Sequence, residues 1–215
     1  MAEARARRAT APAEREGSSR RQIVEAAARA FMTNGYAGSS IDAVARELGC
    51  TKGRIYYEYD AKADLFFDVQ DEAMQMNIRA VSPHANATGP ARARLRRMLE
   101  DQIELIMTRL PFQRVLVQGV EMHQQGRTTP EQRAVLDQQI RHRDAYEKLY
   151  VKVIADGVRR GEFRKVNPRI FSKVVLGALI WVTVWYRPRR GETAPARDAL
   201  ARELADYMME GLTQA

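Results

Sequence analysis

Apolar residues recur along this chain at helical spacings, and Gly, Pro, Asn and Ser punctuate the periodic stretches. A first helix starts near Ser18 or Ser19, either of which can cap it, and carries Ile23, Ala27, Ala30 and Phe31 at i, i+4, i+7, i+8. Asn34-Gly35 ends it. A second runs from a Ser40 cap through Ile41, Val44, Ala45 and Leu48 to Gly49. Thr51 caps a short third helix over Lys52 to Tyr57. A fourth begins near Lys62 and shows Leu65, Val69, Ala73, Met76 and Ala80 on one face.

The segment Ser82 to Pro90 reads as a loop. Beyond it the pattern predicts helices over 91–109, from Pro111 to Gln124, over 130–160, from Pro168 to before Pro188, and over 195–213. The expected fold is therefore all-α, with about nine helices. Three parts are expected: a flexible basic arm over 1–18, a three-helix domain over 19–66, and a helical domain over 67–215.

Charge and composition narrow the function. The net charge is +8 with a pI near 9.9, so the chain seeks polyanions, and most of the excess lies after residue 66. The one cysteine, Cys50, excludes an internal disulfide and is placed in a small apolar gap. No secretory h-region precedes the first helix, and the nearly apolar run Val174 to Trp185 is short for a bilayer, so a cytoplasmic protein without a membrane partner is expected. Catalysis is not expected. His84, His123 and His142 are scattered without metal-ligand spacing, and there is neither a phosphate-binding Gly-rich loop nor a Ser nucleophile elbow. No catalytic residue, metal site or cofactor is assigned.

The second and third helices carry the informative chemistry. Two short helices joined by a Gly-containing turn make a helix-turn-helix, whose second helix enters the major groove. That helix has one aliphatic residue to bury, Ile55, which leaves Lys52, Gly53, Arg54, Tyr56 and Tyr57 facing outward. Arg grips guanine bidentately and Tyr hydroxyls reach phosphates. From Arg21 to Phe66 the chain resembles the N-terminal domain of the TetR family of repressors. The resemblance runs through Gly35-Tyr36, Ser39-Ser40-Ile41-Asp42-Ala43-Val44-Ala45, Gly49-Cys50-Thr51-Lys52-Gly53-Arg54-Ile55-Tyr56-Tyr57 and Lys62. It implies an α-helical homodimer, the first three helices on operator DNA, a ligand cavity in the C-terminal domain, and a dimer interface from the last two helices. Position by position, it places Gly53 and Arg54 at base edges. Thr51, Lys52, Tyr56, Tyr57 and Lys62 fall at or beside phosphate, and Ser39 or Ser40 at the second helix's N-terminus. Glu58 stands where the family often has His or another neutral residue, and Asp60 adds a second negative charge, so no backbone contact is assigned to Glu58. Arg5, Arg7 and Arg8 of the arm are expected to meet phosphates.

The second domain offers softer signs. The helix with Phe171, Val174, Val175, Ala178, Leu179, Val182 and Trp185 is apolar nearly all round, and needs cover beyond its own subunit. Pairing across a two-fold through about 168–187 and 195–213 would supply it. Met74, Ile78, Met107, Met122, Tyr146, Tyr150, Trp181 and Trp185 are the candidate ligand-binding residues, with plain core packing as the alternative for each. The stretch Gly177 to Pro188 resembles the acyl-CoA-responsive branch of the same family, and basic residues such as Arg92, Arg94, Arg96 and Arg97 suit a phosphate-bearing ligand or a solvated surface. Two readings follow. One is a repressor released from its operator by a small molecule, with acyl-CoA thioesters as a candidate class. The other is a DNA-binding regulator controlled by a protein partner, or constitutive, with no effector. A large cavity in the second domain favours the first, and a solid domain the second.

Overall fold

The structure is a computed structural model and describes residues 11–124 and 130–212. Among these residues it contains nine helices and no strand. They are α1 (Ala11–Gly38), α2 (Ile41–Leu48), α3 (Lys52–Tyr56), α4 (Lys62–Asn86), α5 (Ala91–Thr108), α6 (Leu110–Gln124), α7 (Pro130–Arg159), α8 (Pro168–Trp185) and α9 (Ala194–Glu210). The chain divides into two compact units, Met1–Gln70 and Asp71–Ala215, and the division falls inside α4. Arg5, Arg7 and Arg8 lie outside the described residues.

The first unit is built on small and aromatic side chains. Ile23, Ala26, Ala27 and Phe31 of α1 are fully buried, with Val44 of α2, Ile55 of α3 and Leu65 and Phe66 of α4. Phe66 meets Phe31 edge-on with ring centroids 5.1 Å apart, and Tyr36 at 4.7 Å, a geometry that aromatic quadrupoles favour. Tyr59 is also buried, and its hydroxyl donates to Asp68, which Arg20 grips with two nitrogens at 2.6 and 3.0 Å. Burial, followed by the bond to Asp68, raises the Tyr59 pKa, so the phenol stays protonated as a donor.

Two boundaries differ from expectation. Helix α1 starts at Ala11, not at Ser18 or Ser19, so residues 11–18 of the expected arm are helical. Ala11, Ala13, Glu14, Arg15 and Glu16 are good helix formers, Pro12 sits where a first turn tolerates it, and Gly17 weakens a helix without ending it. The helical path breaks at Gly35, which takes φ 69°. Helix α4 runs on through Pro83 to Asn86, where a loop was expected. Val81 and Ala85, on either side of Pro83, are fully buried, and Arg94 donates to the carbonyls of His84 and Ala85. Packing and those bonds outweigh the amide that proline lacks.

In the second unit α5 is central, packing against α9, α7, α8 and α6. Leu95, Met98, Leu99 and Ile103 of α5 are completely buried, as are Val153 and Ile154 of α7 and Ala205 of α9. Gly157 of α7 makes room for the Phe163 ring, which would stand 2.1 Å from a Cβ at that position. Arg94, grouped above with solvated basic residues, is a buried strut: its Nη1 lies 2.9 Å from Asp156, with the two side chains 9% and 10% exposed. Asp156 also accepts from Arg159 and Arg160. Helix α8 has two unlike faces. Ser172, Val175, Leu179, Val182 and Thr183 are buried, whereas Ile170, Val174, Trp181 and Trp185 are exposed. At 18 residues it is the one helix among the described residues long and apolar enough to cross a membrane by length and composition, a broader apolar span than the twelve-residue run alone indicates.

Candidate nucleic-acid interface and ligand cavity

The recognition head is organised by its caps. Ser40 has extended backbone, and its Oγ accepts from the Ala43 amide at 3.1 Å, which leaves its hydroxyl proton to donate outward. Gly49 ends α2 at φ 69°, and the Cys50 amide then bonds back to the Ala45 carbonyl at 2.9 Å. A residue with a Cβ would be strained at Gly49, and the turn that aims α3 depends on it. Thr51 precedes α3 as expected but makes no side-chain cap hydrogen bond. Cys50 is half-buried.

Helix α3 is held by Ile55, which is fully buried, while Tyr56 is 52% and Tyr57 82% exposed. Thr51, Lys52, Gly53 and Arg54 are exposed with them. One anchored residue under a face of two cations, two phenols and an open glycine backbone is poor packing material and good material for phosphate and base edges. Lys52 stands 3.9 Å from Asp42. The Arg54 guanidinium rests on α1, donating to Gln22 Oε1 at 3.0 Å and Ser19 Oγ at 3.2 Å. These partners are surface groups that a guanine could replace.

Two residues of the expected interface are placed differently. Ser39 is buried and donates to the carbonyls of Gly35 at 2.7 Å and Ala30 at 3.2 Å. Lys62 directs its ammonium inward, onto the carbonyls of Tyr36 at 2.8 Å and Ser39 at 2.9 Å, and 4.3 Å from the centre of the Tyr36 ring. It ties the end of α1 to the start of α4. Lys62→Ala is therefore expected to cost about 1.5–3 kcal/mol of stability, the range for hydrogen bonds from a charged donor. Urea unfolding checks this, and a loss confined to DNA affinity with unchanged stability contradicts it.

The second unit contains a cavity of about 390 Å³ lined from five helices. Of the residues expected to line one, Met74 of α4 and Tyr146 of α7 do so. Ile78, Met107 and Tyr150 stand outside it: Met107 and Tyr150 are buried core, and Tyr150 pairs its hydroxyl with that of Tyr146 at 3.1 Å. Burial raises both phenol pKa values. Trp181 and Trp185 do not line it, because the turn of α8 carries them to the exposed face. The side chain of Met122 lies outside the described residues. The walls come instead from Ile106, Leu116, Val117, Leu176, Leu179 and Ile180.

The polar lining was missed in the sequence. Arg143 and Lys173 stand at the exposed rim, with Lys173 bonded to Glu147 at 3.0 Å. Deeper lie three buried amides, Asn77, Gln102 and Gln113. Gln102 Nε2 donates to Asn77 Oδ1 at 3.0 Å, but Gln102 Oε1 and Gln113 Nε2 are buried without a protein partner. Each such atom costs about 1–3 kcal/mol when left unpaired. The signal was present: Asn77 falls between Ala73 and Val81, and Gln102 beside Met98 and Ile106, as polar residues on apolar stripes.

Comparison with known proteins agrees with this division. Residues 23–69 match the family model described as bacterial regulatory proteins, tetR family, and residues 88–212 that described as tetracyclin repressor-like, C-terminal domain. Among solved structures, the TetR family transcriptional regulator PfmR from Thermus thermophilus is 25% identical with a TM-score of 0.75, over 89% of this chain and 99% of that one. AibR in complex with isovaleryl coenzyme A and operator DNA is 23% identical with a TM-score of 0.70, over 90% and 97%. The ketosteroid transcriptional regulator KstR2 of Mycobacterium tuberculosis is 16% identical with a TM-score of 0.76, over 91% and 95%. No curated protein matches the chain.

Proposed function

The chain belongs to the TetR family of bacterial regulatory proteins, DNA-binding transcription factors rather than enzymes, and on that premise we propose that it is a cytoplasmic repressor released from its operator by a small molecule bound in the second unit. The observation that carries the DNA half is the exposed face of α3 over a single buried Ile55. Ser40, Thr51, Lys52, Gly53, Arg54, Tyr56 and Tyr57 form the contact set. Ser39 and Lys62 act by holding the head in shape. A two-fold dimer through the exposed faces of α8 and α9 sets the two α3 helices one duplex turn apart, about 34–36 Å.

The cavity favours the effector reading over a constitutive regulator, since a solid domain would have nothing to occupy. A ligand releases DNA only by binding the DNA-incompetent state more tightly. Acyl-CoA thioesters are the effector class best supported: the walls are apolar, the rim carries Arg143 and Lys173, and a similar fold has been solved with a coenzyme A thioester. The acyl part would lie against Met74 and Tyr146, with the nucleotide phosphates toward the basic rim.

The test begins with selection of the operator from random DNA. Arg54→Ala is expected to lose about 1–3 kcal/mol of discrimination at one or two positions, with little change on random sequence. Equal losses on operator and random DNA remove the base-reading role. Acyl-CoA thioesters should then raise the melting temperature and displace the operator, measured by fluorescence anisotropy. Failure of a broad panel in both assays removes the effector class and leaves the DNA-binding assignment standing.

A further inference from the structure

We infer that the ligand of this cavity is an apolar molecule whose buried end carries a hydroxyl, read by Gln102 and Gln113; the inference rests on the effector reading above and names the chemistry of that same site. Three neighbouring helices, α4, α5 and α6, each place one amide side chain at the cavity, and all three amides are at least nine-tenths buried. Asn77 and Gln102 satisfy each other through one bond only. What remains is an acceptor, Gln102 Oε1, and a donor, Gln113 Nε2, both without a protein partner. Buried polar atoms in folded proteins are overwhelmingly paired, so two unpaired ones of opposite sense, on residues that line one cavity, define the complement that a ligand supplies once the two amides turn toward it. A hydroxyl supplies both, donating to one and accepting from the other. A hydrocarbon supplies neither, and a ligand that displaces water from such atoms without replacing its bonds loses affinity.

The charge pattern sets the orientation. The cations of the lining, Arg143 and Lys173, stand at the exposed rim, with Glu147 beside Lys173. The buried end has neutral amides and apolar walls. A carboxylate or phosphate placed there would be buried without a counter-ion, which is prohibitively costly. An anionic group therefore belongs at the rim and the neutral hydroxyl at the amides. Sites built to hydrogen-bond a ligand hydroxyl discriminate strongly against the analogue lacking it, because their own polar atoms are then left unpaired.

Matched ligand pairs test this on the full-length protein by calorimetry: dodecanoyl and 12-hydroxydodecanoyl coenzyme A, and cyclohexylacetyl and 4-hydroxycyclohexylacetyl coenzyme A. In at least one pair the hydroxylated member should bind at least about tenfold more tightly. The Gln102→Leu/Gln113→Leu double variant should bring that ratio to about one or below it, with the plain thioester gaining. Should the double variant fail to fold by thermal unfolding, the near-isosteric Gln113→Met substitution should still narrow the ratio. Equal binding within both pairs, an unchanged ratio in the folded variants, or no binding by any of the four overturns the inference. Operator release is read in the same samples. Hydroxyl discrimination without release sinks only the effector reading, and release without discrimination sinks only this one.

Discussion

Replacing Trp181 with Asp is expected to yield a folded monomer that binds its operator on the order of a hundredfold more weakly. Trp181 is 63% exposed on α8 among Ile170, Val174 and Trp185, with Tyr207 exposed on α9. Large apolar side chains exposed along one helix form a face of the kind that marks an interface, and a two-fold axis lets one such helix face cover its copy. A carboxylate at its centre would be buried without a partner in the dimer and solvated in the monomer. The monomer can occupy only one half-site, and losing the second arm forfeits the gain of linked binding, typically a factor of 10² to 10⁴. Analytical ultracentrifugation and operator titration measure the two effects. A variant that stays dimeric removes this surface from the interface. Val182 is unsuitable for the same test: it is 2% exposed on the inner face of α8, and a charge there attacks the fold of the protomer.

Asp156→Ala is expected to destabilise the second unit by about 3–5 kcal/mol, the usual cost of breaking a buried ion pair from one side. The Arg94 guanidinium would keep its bonds to the carbonyls of His84 and Ala85 but lose its counter-charge in a site where it is 9% exposed. Arg159 and Arg160 would add like charge nearby. The loss is a large share of an ordinary domain's stability. Urea unfolding should show a lower midpoint, and the double variant Arg94→Met/Asp156→Leu should recover part of it, because a neutral apolar pair leaves no unpaired charge. A single variant as stable as the parent shows that solvent reaches the pair.

Much of the architecture was legible because the relevant physics is local. The Ser40 cap, the glycine at Gly49 and the i, i+3, i+4, i+7 pattern of α2 depend on residues within two turns of each other, and they appear as expected. The outward face of α3 follows from arithmetic: a short helix with one aliphatic residue has one inward position. Lys62 and Ser39 were harder. Both occur where a phosphate contact is reasonable, and only the path of α1 past Gly35 shows that carbonyls of Gly35, Tyr36 and Ser39 already claim their donors.

The cavity shows the opposite case. Tyr146 and Met74 line it while Trp181, equally apolar and large, faces away, because α8 is apolar on both sides and periodicity cannot tell which side is inside. The amphipathic pattern, the Ser40 cap and the outward face of α3 were thus determined by the amino-acid sequence itself, since each rests on neighbours along the chain. The tertiary structure alone decided which face of α8 is buried, that α4 passes Pro83 on the strength of Arg94, that Arg94 and Asp156 meet across 62 positions, and that three amides from three helices share one cavity. Those outcomes depend on groups distant in sequence, whose desolvation and pairing are settled only when the helices pack.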